Sequence, residues 1–179
     1  MIGSGIIEGV VSAVAFGAGD FSGGRASRHV GGMVAAAGSQ FVGAIGMLVL
    51  LVVVAPPAPA VGPLLIAAAA GMFGVVGVAA LYRGLAMGSM GLVAAISAIG
   101  SLVLPLVVSV VAYRATLGIG PLLGVACAGL AGAMASGAAR DSATRSALLL
   151  AAGASVAFGL WYVLLDLAAQ ADPLWALTT

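Results

Sequence analysis

Charge is almost absent from six long stretches of the chain, and polar or helix-breaking residues collect between them. The apolar runs cover about 5–24, 32–55, 62–83, 91–112, 118–138 and 146–168. Their separators are Arg25 to Gly32, APPAPAVGP at 55–63, Gly88 to Gly91, Arg114 to Gly120 and ARDSATR at 139–145. Asp172-Pro173 stops the sixth run, and PLWALTT after it reads as the opening of a seventh. A bilayer core about 30 Å thick is crossed by roughly 20 helical residues, the length of each run. In lipid every backbone polar group must be bonded internally, and these runs are too long and uniform for barrel strands. The pattern predicts an all-α, polytopic helical membrane bundle with no separate soluble domain.

One short motif orders these runs. Val14-Ala15-Phe16-Gly17 lies in the first run, and Val156-Ala157-Phe158-Gly159 repeats it in the sixth, 142 residues on. Five helices separate the two starts. Because each helix crosses once, the second copy enters from the opposite side, as in an inverted-topology repeat. Residues 1–142 are then a first five-helix unit. Residues 143–179 are the start of a second, truncated one, with its first helix and the stub of another.

Composition agrees with the pattern. The chain is 63% hydrophobic and 6% charged, with a mean hydropathy of +1.28, whereas soluble domains carry roughly 25% charged residues. A net charge of +1 gives no footprint for nucleic acid. Cys127 has no partner for an internal disulfide. Glu8 inside the first run, with no basic start before it, argues against a cleaved signal peptide.

Three segments carry a family likeness: GAGDFSGGRASR at 17–28, ALYRGLAMGSMGLVAAISAIGSLVLPLVVSVVAYR at 80–114, and AFGLWYVLLDLA at 157–168. In their order and spacing the chain resembles the EamA family of the drug/metabolite transporter superfamily. That resemblance implies ten helices in two inverted five-helix repeats, a pathway built from the first four helices of each repeat, and a fifth packed outside. It also implies export of amino acids or other small metabolites across the cell membrane (in a bacterium, the inner one). The chain departs from the family in length, lacking helices seven to ten. It departs also at Ala112-Tyr113-Arg114, where members often carry Gly-Glu-Arg.

Several residues are candidates for chemistry. A carboxylate at the membrane centre costs roughly 2.5–3.5 kcal/mol, so Asp20, near the end of the first run, is either functional or an interfacial acid beside Arg25. Asp166 and Glu8 read as interfacial. Ser97, Ser101, Pro105 and Ser109 recur every four positions on the fourth helix and share one stripe. That stripe either faces a substrate path, with Pro105 kinking the helix and freeing a carbonyl, or lets a neighbouring helix approach closely. Ser39 and Gln40 add polar groups from the second helix. Trp161 and Tyr162 either line a cavity or pack, and Tyr82-Arg83 reads as an interface anchor ending the third helix. Gly124, Ala128, Gly132 and Ser136 form a small-residue packing seam on the fifth. His29 has no metal-ligand partner at suitable spacing, so a metal site is not expected, and the carrier expectation below implies no cofactor.

Arg25, Arg28, Arg83, Arg140 and Arg145 fall on one side of the predicted topology and Arg114 on the other. The positive-inside rule puts the N-terminus outside, whereas the resemblance implies a cytoplasmic N-terminus; the reading here follows the charges. The leading expectation is a carrier for a small-molecule substrate in the lipid bilayer, without enzymatic chemistry. One alternative is a half-transporter paired with a second copy or with a missing C-terminal half. Another is a non-transporting membrane fragment.

Overall fold

A computed structural model describes residues 2–116, 118–136 and 144–179, with side chains from residue 7 onward except at 133, 135 and 136. Among the described residues every regular element is a helix: α1 (Ile2–Val30), α2 (Gly32–Val54), α3 (Val61–Met87), α4 (Met90–Val111), α5 (Ile119–Ser136), α6 (Arg145–Ala169) and α7 (Pro173–Thr178). Four of them, α2, α3, α4 and α6, are long and apolar enough to cross a membrane. The chain thus fits a multi-pass membrane protein. The apolar part of α5 is shorter, and α1 carries Glu8, Asp20, Arg25 and Arg28.

The outer surface fits the same conclusion. Val52 and Val53 are 78% and 76% exposed, and Ile119 and Met134 face outward as well. Contiguous apolar surface on this scale needs a lipid or protein covering. The interior is the reverse of a soluble core, because its buried positions are mostly small. Ala67, Ala70, Ala147, Ala151 and Ala154 are buried together with Ser97, Ser101 and Ser155.

Local signals explain the helix ends. Ser89 Oγ accepts from Leu92 N–H at 3.3 Å, and Thr144 Oγ1 from Ala147 N–H at 3.2 Å. Asp172 Oδ1 accepts from Trp175 N–H at 2.9 Å, with Pro173 at the first turn of α7. Each is an N-cap that satisfies an orphan donor. Helix α2 ends at Ala55, whose φ of 46° is left-handed and whose N–H donates to Leu51 O. Pro56 and Pro57 then prevent continuation.

Two separators are shorter than the sequence pattern predicts. Helix α1 continues through Arg25 and Arg28 to Val30 and breaks only at Gly31, whose φ of 86° suits glycine. Nothing between Gly24 and Val30 breaks a helix, so charge alone did not end it. Helix α3 likewise passes Tyr82-Arg83 and runs on to Met87. Tyr82 is buried, not an interface anchor: its ring occupies the space where a Cβ on Gly23 of α1 would stand. The expected separator at 139–145, with Arg140 and the unit boundary at 142/143, lies largely outside the described residues.

Helix α3 is central, touching α1, α2, α4, α6 and α7. Helix α6 packs along both α3 and α4, whereas α5 lies chiefly against α4. At one end of the bundle the Arg28 guanidinium donates to Gly88 O at 3.2 Å. Gly88 also sits against Ala147, 2.8 Å from where its own Cβ would be. The close of α1, the close of α3 and the start of α6 therefore meet. At the other end Ala67, Ala168 and Ala176 cluster, and Trp175 Nε1 donates to Pro56 O at 3.3 Å. Helix α1 arrives where α6 departs, so the helices bearing the two VAFG copies run in opposite senses.

A candidate cavity between the helices

The α4–α6 contact is where the serine stripe goes. Ser97 Oγ donates across to Ala151 O at 3.3 Å. Ser155 Oγ contacts two carbonyls, Ile96 O at 3.0 Å and Ala151 O at 2.9 Å. Ser101 Oγ donates back to Ala98 O at 2.9 Å within its own helix. Gly100 presses directly on Ser155, and Gly159 lies 2.8 Å, measured from its would-be Cβ, from Leu104 Cβ. A side chain at either glycine would push the helices apart. Hydroxyls and missing side chains thus close this seam, as in membrane helix pairs generally.

Pro105 sits inside α4, which continues to Val111. With no N–H, the proline leaves Ser101 O without its usual intrahelical donor. That carbonyl lies beside Gly159, 3.5 Å from the Cβ position there, so it is turned to α6. Pro105 itself borders a separate cavity of about 220 Å³ with Ser109, Tyr113, Tyr162 and Asp166. The stripe therefore divides: Ser97 and Ser101 reach one cavity, Pro105 and Ser109 another.

The larger cavity has a volume of about 1140 Å³ and is bordered by α1, α2, α3, α4, α6 and α7. Six of the residues singled out from sequence meet on its lining: Asp20, Gln40, Ser97, Ser101, Trp161 and Tyr162. They come from positions up to 142 residues apart in the chain. Asp20 stands ten positions before Val30, about 15 Å along the helix at 1.5 Å per residue. Gln40 stands eight positions after Gly32, or about 12 Å from that same end. The unexpected length of α1 is what moves Asp20 away from the helix end and to the level of Gln40.

Aromatic rings form the far part of the wall. The Trp161 and Tyr162 centroids are 4.8 Å apart, and Phe158 meets Trp161 edge-on at 6.3 Å. Gly74 and Gly77 of α3 make room for Trp161 and Phe158, whose atoms come within 3.3 and 2.8 Å of the Cβ positions. Phe16, Phe158, Met47 and Met72, which carry no polar group to single them out in sequence, also border the cavity. Phe16 and Phe158 are the phenylalanines of the two VAFG copies, a signal that could have found them. Ser39, by contrast, is not part of the lining and donates to Ala36 O at 2.9 Å.

The α5 seam is only partly used. Gly132 packs on α4, with Ile99 Cδ1 and Ala95 Cβ 2.9 and 3.0 Å from its Cβ position. Ala128 is half-buried, and Gly124 meets nothing within 4 Å. The Ser136 side chain lies outside the described residues. No protein-family model, curated protein or solved structure matches the chain.

Proposed function

We propose that this protein is the substrate-holding portion of an EamA-type carrier, moving a small metabolite across the cell membrane without enzymatic chemistry or a cofactor. One observation carries the reading: Asp20, Gln40, Ser97, Ser101, Trp161 and Tyr162 border a single cavity among helices suited to a bilayer. Ligand sites are concave and mostly apolar, with a few convergent polar groups, and this lining has that character. In this reading α1 and α5 cross the membrane with the four long apolar helices. The opposite senses of α1 and α6 reflect inverted units, and the arginine-rich end is cytoplasmic.

A second reading, in which another chain completes the pathway, is favoured by Gln40. Its side chain borders the cavity yet is exposed on this chain alone. An amide facing lipid is unfavourable unless a neighbouring helix bonds it. A second copy or a C-terminal half would cover that edge.

The test is flux. Purified protein in liposomes loaded with a pooled small-metabolite extract should release particular solutes over protein-free vesicles, read by mass spectrometry. An Asp20→Asn protein that inserts equally well should release them at least about tenfold more slowly, the scale on which a lost charged contact acts. Release identical to that of empty vesicles for every solute would remove the carrier reading. Flux that appears only when a second chain is supplied would select the two-chain form.

A further inference from the structure

The α1–α2 hairpin is gripped at its tip and loose along the rest of its length. At the tip Gly32 packs on the backbone of α3, with Arg83 N 2.8 Å and Arg83 Cα 2.9 Å from its Cβ position. Gly24 meets Leu85 and Met90, and Tyr82 fills the space beside Gly23. Away from the tip, Gly9, Gly17 and Gly19 of α1 and Gly38, Gly43 and Gly46 of α2 meet nothing within 4 Å. In α2 the buried residue is Ala36, close to the tip.

Arg28 adds a polar tie across this grip. Its guanidinium donates to Gly88 O at 3.2 Å and to Leu85 O at 3.5 Å. The last carbonyls of a helix lack intrahelical donors, and its dipole favours a cation there. Gly88 is the C-cap of α3, so a residue of α1 caps a neighbouring helix. The Gly88 contact is exposed, and a hydrogen bond in contact with water is weaker than a buried one. It can therefore break without the bundle unfolding.

The covalent link lies at the opposite end. Residues 55–60 between α2 and α3 form no helix, and Trp175 Nε1 ties Pro56 there. Helix α2 has 23 residues, a lever about 35 Å long from link to tip. The candidate cavity stops short of the tip. Its lining reaches Asp20 in α1, Gln40 in α2 and Leu81 in α3, and no residue of those helices nearer the tip borders it.

We infer that the hairpin is a movable arm clamped at its tip by Arg28, and that lifting the tip opens the candidate cavity toward the arginine-rich end. The arm pivots on the 55–60 link. This goes beyond the carrier reading, because the clamp is made within this chain whatever covers the outer edge of the cavity.

Thiol labelling in membrane vesicles tests the clamp, with a membrane-impermeant methanethiosulfonate added on the arginine-rich side. Cys127 is exposed and is first replaced by alanine. Ser27→Cys then places a thiol at a buried position beside Arg28, and Leu81→Cys places one where the cavity ends. Ser155→Cys, buried in the α4–α6 seam, is the control. Arg28→Gln should speed labelling of Ser27→Cys and Leu81→Cys by at least about fivefold, the scale of one lost hydrogen bond to a charged group. Arg28→Lys, which keeps the cation, should speed it less, and Ser155→Cys should not change. Unchanged labelling of Ser27→Cys would remove the clamp, and an equal rise at Ser155→Cys would mean general loosening instead. Faster labelling of Ser27→Cys with none at Leu81→Cys would show a tip that lifts without opening the cavity, and would overturn the inference too. Should Arg28→Gln fail to fold, the Arg28-containing protein still decides: Ser27→Cys must react faster than Ser155→Cys, and equal rates would defeat the movable arm.

Discussion

Helices α5 and α6 both carry small residues at short helical spacing, but only α6 is closely packed along them. On α6, Ala147, Ala151 and Ala154 have 0% exposure, because α3 lies on one side and α4 on the other. On α5, Gly132 meets Ala95 and Ile99, whereas Gly124 meets open space. A small residue permits close approach, but it does not supply the neighbour. Position in the bundle does that: α6 is wedged between two helices, and α5 lies on the rim.

Four substitutions test this difference, all read as stability against unfolding in detergent by circular dichroism. The largest effect is expected for Ala151→Leu, which forces three extra heavy atoms between α6 and its neighbours. A loss of about 3 kcal/mol is anticipated, the upper end of ordinary overpacking. A tolerated leucine would mean that the α4–α6 seam is looser than its hydrogen bonds suggest. Gly132→Leu, at a firm contact on the α5 seam, should cost about 1–2 kcal/mol. If it proves as costly as Ala151→Leu, α5 belongs to the packed interior and the contrast collapses.

Ser155→Ala removes the hydroxyl that contacts Ile96 O and Ala151 O but leaves the helix spacing alone. A cost of about 0.6–1 kcal/mol is expected, in line with hydrogen bonds between membrane helices. No change would show that the glycines, not the hydroxyls, hold the seam. The smallest effect is expected for Gly124→Leu, within about 0.5 kcal/mol, as for a surface site. A loss well above 1 kcal/mol there, more than a surface substitution costs, would reveal a partner on that face of α5 and sharpen the case for a second chain.

The helices were legible because their signals are local. Run lengths, the Pro56-Pro57 break, and Asp172-Pro173 before α7 can each be read from a few neighbouring residues. Errors came where a local signal was overridden. Arg25 and Tyr82-Arg83 looked like helix ends, yet α1 and α3 continue past them, because a charge or an aromatic forces no break of the kind that Gly31, with its φ of 86°, allows. Asp20 therefore lies ten residues before the end of α1, not close to it.

The candidate cavity was legible only as fragments. Asp20 was recognisable as a costly charge and Gln40 as a costly amide. Nothing local indicated that these residues border one space, or that Pro105 and Ser109 would leave Ser97 and Ser101 for a smaller cavity. The serine stripe also held two uses at once, since Ser97 reaches the cavity while bonding Ala151 O across the α4–α6 contact, and Ser101 reaches it while bonding Ala98 O within α4.

By itself the sequence determined the solvent and the elements: apolar helices of membrane length, and where most of them begin and stop. The tertiary structure alone decided which faces turn inward, and so which polar residues share a cavity and which glycines are pressed. In water an inward face declares itself by being apolar against a polar outer face. In lipid both faces are apolar, and small or weakly polar residues are the remaining marks of a contact. Glycine carries the same mark at position 124 and position 132, and only the presence of α4 beside one of them tells the two apart.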